Sequence, residues 1–166
     1  MNGAGGVRVA WRIVSAGADR REVSRSLLTE LLPGARLSSR CSRCGGDHGR
    51  VRVSGAEVTA SVSYASGWAI VAVRDGDQRV GIDAVAADAT GLDRVLPGAD
   101  ARTWARVEAV LKADGRGLAV DPARVRIVER ADGEWSSTID GAAAGVGFDV
   151  EAPPGVVVAV AVASAS

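Results

Sequence analysis

The sequence predicts an α+β fold composed of two similar halves, residues 1–78 and 79–166, that form one compact unit. The main observation is that a helix followed by about three antiparallel strands is predicted twice along the chain. The second is size, because 166 residues of which 47% are hydrophobic suffice for one core or for two closely packed halves. The halves share no repeat at the level of individual residues.

The first half is predicted to contain one helix, residues 19–32. Its apolar side chains recur at helical spacing, and Pro33-Gly34 ends it. Short apolar segments separated by turns that contain glycine predict the strands 7–14, 50–53, 57–63, 68–74 and 78–85.

The second half is predicted to contain a helix over residues 100–114, with Asp100 as its N-cap and Asp114-Gly115 as its end. Apolar segments predict strands over 124–129, 135–139 and 156–163. The last of these has Val or Ala on both faces, which is typical of a central strand covered on each side.

The helix 100–114 carries an acid and an amine beside an apolar ridge. Trp104, Val107, Glu108 and Leu111 follow the spacing of one helical face, and Lys112 lies one turn after Glu108. Glu108 is therefore expected at the edge of the buried face. The Glu108–Lys112 pair is either an ordinary exposed ion pair or part of a site.

Asp83 interrupts the apolar strand 80–85, where aspartate is disfavoured unless a cation or metal stabilises it. An Asp from a strand and Glu108 from the following helix would suit Mg²⁺, which takes one or two protein carboxylates and fills its remaining positions with water and phosphate. The alternative is that Asp83 only ends the strand or caps a turn.

Cys41, Cys44 and His48 form a short cluster in a glycine-rich segment. Three interpretations remain open: a zinc site, for which Asp47 is the only nearby fourth ligand, a redox pair, or reduced thiols that pack the loop. The polar surroundings favour the reduced thiols.

Several segments occur in an order typical of one enzyme family. They are Cys41-Ser-Arg-Cys44-Gly-Gly-Asp-His48-Gly49-Arg50, Val62-Ser63-Tyr64-Ala65, Gly81-Ile82-Asp83, the segment Trp104 to Leu118, and Asp121-Pro122. With them the chain resembles the 4'-phosphopantetheinyl transferases, in particular the pseudo-dimeric, surfactin-synthetase-activating type. The resemblance implies two halves related by a pseudo-two-fold axis, with coenzyme A bound between them.

The activity implied by the resemblance is a Mg²⁺-dependent transfer of 4'-phosphopantetheine from coenzyme A to a serine of an acyl or peptidyl carrier protein, as in polyketide or nonribosomal peptide biosynthesis. It releases 3',5'-ADP. By the same resemblance Asp83 and Glu108 bind the metal, Glu108 takes the serine proton, and Lys112 compensates charge on the leaving phosphate. The residues expected to bind the phosphates of coenzyme A are Arg50, Ser63, Tyr64 and Lys112.

Three positions differ from the family pattern: Val85 replaces a second acid, Val107 a lysine, and Tyr64 a histidine. They leave open an alternative function, a relative of the same fold that binds a carrier protein or another small molecule without transferring phosphopantetheine.

Composition limits the partners. With 20 basic and 20 acidic residues the formal charge is zero, which argues against nucleic acid as a partner. No run of about twenty apolar residues predicts a membrane helix, and no charged leader precedes an apolar segment. We therefore expect a cytoplasmic protein. We also expect a monomer, because an internally duplicated chain has less need of a second subunit to complete its cleft.

Overall fold

The computed structural model describes residues 6–41, 44–130 and 132–164, and within these ranges the side chain of residue 118 is left undescribed. The fold is mixed, with two helices and antiparallel sheets, so the predicted α+β class is confirmed. The elements in chain order are β1 (Val7–Ile13), α1 (Arg20–Leu31), β2 (Arg36–Ser38), β3 (Arg52–Ser54), β4 (Val58–Ala65), β5 (Trp68–Asp75), β6 (Val80–Ala86), α2 (Ala101–Asp114), β7 (Val125–Glu129), β8 (Glu134–Ile139), β9 (Ala142–Val150) and β10 (Val156–Ala163).

The strands form three sheets. One has three strands in the order β1-β5-β4, one has five in the order β6-β10-β9-β8-β7, and β2 pairs with β3 alone. All of these pairings are antiparallel. Helix α1 packs on the three-stranded sheet, and α2 packs on the five-stranded sheet.

The two larger sheets meet in a shared core. Val7 and Ile70 from the first sheet belong to the same buried cluster as Ile82 and Val160 from the second. All four side chains are fully buried. Burial of this apolar surface holds the two halves together.

Helix α2 begins and ends where the sequence predicts. The Asp100 carboxylate accepts a hydrogen bond from the Thr103 N–H at 2.8 Å, and Gly115 ends the helix with φ +89°. Its buried face, which includes Val107, Val110 and Leu111, packs against β6 and β10. This helix therefore holds Glu108 and Lys112 over β6.

A seam between β4 and β6 joins the two halves without sheet pairing. The Oγ of Ser61 accepts a hydrogen bond from the Ile82 N–H, and the Oγ of Ser63 accepts one from the Ala84 N–H, each at 3.1 Å. The serine hydroxyls thus bind backbone donors that a neighbouring strand would otherwise bind. The seam places the Ser63-Tyr64 segment beside Asp83.

The strand count differs from the expected three or so per half, because the second sheet has five strands. Strand β9 was not predicted, since it contains the strand-disfavoured Gly145 and Gly147. Packing explains both glycines: a Cβ on Gly147 would lie 2.1 Å from the Trp135 ring, and one on Gly145 would lie 2.1 Å from the carbonyl oxygen of Val162.

Neither α1 nor α2 combines the length and the apolar character that a membrane-spanning helix requires, and no other helix of that kind occurs in the described ranges.

Candidate functional site

Two depressions adjoin the seam. The first, here called the basic cavity, has a volume of about 320 Å³ and lies between α1, the loop before β3, β4 and the end of α2. The second, the acidic groove, measures about 490 Å³ and lies between β4, β6 and α2. Tyr64 lines both. Besides Tyr64, the charged or titratable residues of the basic cavity are Arg20, Arg21, Arg25, Asp47, His48, Arg50 and Lys112.

Asp83 lies at the centre of the seam on β6, with its side chain only 10% exposed. One carboxylate oxygen, Oδ1, accepts hydrogen bonds from the Lys112 ammonium at 2.7 Å and from the Ser63 hydroxyl at 3.0 Å. A buried carboxylate needs such partners to stay ionised. Asp83 therefore neither ends the strand nor caps a turn, since β6 continues to Ala86.

Lys112 reaches Asp83 from the last turn of α2. Its Nζ also donates to the carbonyl oxygens of Ile82 at 2.9 Å and Val62 at 3.4 Å, so the ammonium contacts both strands of the seam. The sequence left open whether Lys112 pairs with Glu108 on the helix or belongs to a site; the ion pair that forms is Asp83–Lys112. Lys112 also lines the basic cavity.

Glycine at position 81 makes this approach possible. A Cβ on Gly81 would lie 2.0 Å from the carbonyl oxygen of Ala109 and 2.5 Å from the backbone nitrogen of Ala113. Helix α2 therefore rests directly on the β6 backbone, at a distance that only glycine permits. The close packing brings Lys112 within hydrogen-bond distance of Asp83.

Glu108 lines the acidic groove one turn before Lys112. Burial raises the pKa of Glu108 above its ordinary value, the negative charge of Asp83 adds to the increase, and Lys112 opposes it. Among the hydrogen bonds and ion pairs of the described residues, none involves the Glu108 carboxylate. The groove thus contains one carboxylate with a cation partner, Asp83, and one without.

The Ser63 hydroxyl donates a hydrogen bond to Asp83 and accepts one from the Ala84 N–H, so both its donor and its acceptor are used within the seam. Ser63 lines the acidic groove, whereas the basic cavity is lined by its neighbours Val62 and Tyr64. The structure therefore places Ser63 outside the basic cavity, apart from Arg50, and joins it to the Asp83 carboxylate.

Arg50 lies at the wall of the basic cavity, and its Nη2 donates to the Val80 carbonyl oxygen at 3.3 Å. Partial desolvation of the guanidinium lowers the pKa of Arg50, and the like charges of Arg79 and Arg52 lower it further. The guanidinium stays protonated because its ordinary pKa is so high. Arg50 and its neighbours therefore form a patch of positive charge that attracts anions.

Helix α1 adds further cations to the basic cavity. Arg21 donates to the Asp47 carbonyl oxygen at 2.8 Å, and Arg25 forms an ion pair with the Asp47 carboxylate at 2.5 Å. Asp47 is the one acid among the residues that line this cavity, against four arginines and Lys112. The net charge of the lining is positive and suits an anion.

Tyr64 connects the two depressions. Its hydroxyl forms a hydrogen bond with the Ser24 hydroxyl at 2.8 Å, and the Arg20 guanidinium lies 4.8 Å from the ring centre. The ring therefore holds Arg20 at the mouth of the basic cavity through a cation–π contact. This contact assigns Tyr64 a role that the sequence did not indicate.

The two valines that depart from the family pattern have different environments. Val85 lines the acidic groove two residues after Asp83, although it is only 9% exposed. Val107 is 2% exposed and lies in the core between α2 and the five-stranded sheet. Position 85 is therefore next to the two carboxylates, whereas position 107 contributes packing.

Sequence reasoning missed the arginines of α1 as site residues. Arg21 and Arg25 are four residues apart and so share one helical face, which was the available signal. It was obscured because arginine is abundant throughout the chain.

No protein-family model matches the chain, and no curated protein matches it either. A positive cavity that meets a groove with two carboxylates fits a ligand that carries several phosphates together with a divalent cation.

Proposed function

We propose that the chain transfers the 4'-phosphopantetheine group of coenzyme A to a serine of an acyl or peptidyl carrier protein. The observation that carries this proposal is the junction of the basic cavity with the acidic groove at Lys112 and Asp83. Phosphoryl transfer from a diphosphate requires cations along the phosphates and an acceptor for a proton at the attacking hydroxyl. The site provides both in adjoining spaces.

The basic cavity would bind the adenosine phosphates of coenzyme A. A volume of about 320 Å³ is at the lower end for a small-molecule pocket, so the pantetheine arm would extend outside it. Arg50 and Arg20 offer planar guanidinium groups that bind phosphate oxygens in pairs. Neither residue forms a salt bridge within the described ranges. Arg50 donates to the Val80 carbonyl oxygen through Nη2 and Arg20 lies over the Tyr64 ring, so other N–H groups of each remain for a phosphate.

The donor set of the acidic groove fits Mg²⁺. Glu108 has no cation partner, and the second oxygen of Asp83, Oδ2, receives none of the hydrogen bonds formed within the described residues. Hard carboxylate oxygens of this kind suit a small divalent cation. When bound to Asp83 and Glu108, Mg²⁺ would neutralise charge on the diphosphate of coenzyme A.

The residues of the chain would act on the serine and the leaving group. The serine Oγ forms a bond to the phosphorus that carries pantetheine, and the bond from that phosphorus to 3',5'-ADP breaks. Glu108 would accept the serine proton, because it lines the groove and its carboxylate receives none of the hydrogen bonds formed within the described residues. Lys112 would hold Asp83 in place and stabilise negative charge on the leaving phosphate.

The arrangement of the strands supports the proposed pseudo-two-fold architecture. Each half runs through a strand, a helix, a short antiparallel pair and two longer strands. The sheet order β1-β5-β4 corresponds to β6-β10-β9, and β2-β3 corresponds to β7-β8. A chain that contains both halves would complete its cleft as a monomer.

The transfer is tested by incubating the protein with coenzyme A, Mg²⁺ and a panel of apo carrier proteins, and then weighing the carriers by mass spectrometry. We expect one carrier to gain the mass of phosphopantetheine on its serine. Glu108→Gln should abolish the gain, whereas Asp93→Asn, a change at an exposed acid that lines neither depression, should leave it intact.

If the protein binds coenzyme A and no carrier gains mass, the alternative of a relative that binds without transfer is the better account. Its motivation is the set of departures at Tyr64, Val85 and Val107. If the protein neither binds coenzyme A nor modifies a carrier, the proposed function is wrong.

A further inference from the structure

Cys41, Cys44 and His48 form a cluster of metal-ligating side chains outside the acidic groove. One ligand atom from each residue lies within 4.8 Å of the other two. The Sγ of Cys44 is 2.8 Å from the Nε2 of His48. Cys44 and His48 are exposed, and Cys41 is half-buried. The sulfur and imidazole ligands are those that Zn²⁺ prefers.

The backbone folds closely around these side chains. The Cys41 N–H donates to the Gly46 carbonyl oxygen at 2.8 Å, and the Gly45 N–H donates to the Cys41 carbonyl oxygen at 2.9 Å. A Cβ on Gly46 would lie 3.0 Å from the His48 ring and 3.5 Å from the Cys44 sulfur. Glycine at position 46 therefore lets the thiol and the imidazole approach each other.

We propose that this loop binds Zn²⁺ through the thiolates of Cys41 and Cys44 and the Nε2 of His48. Ligand atoms around a tetrahedral zinc ion are about 3.6 to 3.8 Å apart, as Zn–S and Zn–N bond lengths require. The three ligand atoms lie within 4.8 Å of one another, a range that includes this separation. On zinc binding, the distance between the Cys44 Sγ and the His48 Nε2 would increase from 2.8 Å by less than about 1 Å. Both of these side chains are exposed, which permits the movement.

Water occupies the fourth position in this proposal. The nearby carboxylate of Asp47 forms an ion pair with Arg25. Among the described residues, the cluster therefore contains three protein ligands and no fourth. Binding replaces the two thiol protons by the metal, so the affinity for Zn²⁺ rises with pH.

The consequence of the metal is local order in the wall of the basic cavity. Asp47 and His48 line that cavity, as does Arg50 two residues after His48. By fixing the loop, Zn²⁺ holds the Asp47 contacts with Arg21 and Arg25. Zinc would fix the loop in this way whichever anion the cavity binds.

The test uses the full-length protein kept reduced and measures zinc by elemental mass spectrometry after dialysis. We expect one zinc per chain. His48→Asn and Cys44→Ser should each remove most of it, whereas the matched change Asp47→Asn, at a residue that is not a ligand, should retain it. Circular dichroism shows whether each variant is folded.

Cobalt provides a second readout on the unaltered protein. Co²⁺ bound by two thiolates should give strong thiolate-to-metal absorption and tetrahedral visible bands, and added Zn²⁺ should abolish both. Zinc should also slow the reaction of the two thiols with a disulfide reagent. No zinc in the reduced protein together with no cobalt spectrum, or equal zinc in the parent and in folded His48→Asn, would overturn the site.

Discussion

Lys112 is the side chain on which the site depends most. It is the only lysine of the chain, and its ammonium binds one carboxylate and two backbone carbonyl oxygens across the seam. A compact ammonium with three donors suits this three-way contact better than the planar guanidinium of arginine. The residue therefore stabilises Asp83, which lines the acidic groove, and itself lines the basic cavity.

Replacing Lys112 by methionine should destabilise the protein strongly, because the ionised Asp83 would be left buried without its cation. We expect a loss of about 3 kcal/mol in the free energy of unfolding, measured by urea denaturation. Arg116→Met serves as the control, since its pair with Asp114 has a 57% exposed arginine side chain and should contribute little to stability. Similar losses in the two variants would contradict the central role of the Asp83–Lys112 pair.

Glu108 should make stability depend on pH. The pKa of Glu108 is raised in the folded state, so between its unfolded and folded pKa values the folded protein binds more protons. Stability is then lost as the pH rises through that window. Glu108→Gln should therefore raise the melting temperature at about pH 8 and leave it nearly unchanged at about pH 4. Mg²⁺ should raise the melting temperature of the parent at the higher pH and have little effect on the variant.

That prediction fails if Glu108→Gln lowers the melting temperature equally at both pH values, since burial would then impose no charge penalty on the carboxylate.

At the scale of single elements, the packing of α2 on β6 determines the site. The helix brings Glu108 to the groove and Lys112 to Asp83, and Gly81 sets how close the helix lies. The distance between α2 and β6 is fixed by the absence of a Cβ at Gly81, and not by the cap residues or the apolar face of the helix.

Gly81→Ala should push α2 away from β6, because the added methyl group would overlap the backbone of Ala109 and Ala113. We expect a loss of about 3 kcal/mol or more in the free energy of unfolding. The control is Gly98→Ala, which has φ +77° but open space around it and should cost about 1–2 kcal/mol. If the two losses were equal, the close approach would not be a constraint.

At the scale of the whole molecule, the two halves share one core and one seam. The central cluster draws side chains from both larger sheets, and serine hydroxyls cap the backbone of β6. Neither half can unfold without exposing apolar surface of the other. The site lies at this junction and depends on both halves.

Unfolding should therefore be a single transition. Urea curves followed by circular dichroism and by tryptophan fluorescence should coincide, because Trp11 and Trp68 report on the first sheet and Trp104 and Trp135 on the second half. Ser61→Ala should shift the midpoint to lower urea, since it leaves the buried Ile82 N–H without its acceptor, and should not split the curve. Two separate transitions would show that the halves fold independently.

Much of the fold could be predicted from the sequence. Periodicity and caps predict both helices, and the apolar runs predict β6 and β10. Strand β9 could not be predicted, since its glycines are required by Trp135 and by β10, which are distant in sequence. The same limit applies to the site: Asp83, Glu108 and Lys112 were identified, but the pairing of Lys112 with Asp83 and the role of the α1 arginines arise only from tertiary packing.

The central claim is that the basic cavity and the acidic groove form one site for coenzyme A and Mg²⁺. Calorimetric titration of the protein with coenzyme A, in the presence and absence of Mg²⁺, tests it most directly. The account predicts saturable binding that Mg²⁺ strengthens, that weakens with dephospho-coenzyme A because one phosphate is lost, and that Arg50→Ala reduces. No binding of coenzyme A up to millimolar concentration with Mg²⁺ present, or equal binding of both nucleotides with no effect of Mg²⁺, would contradict it.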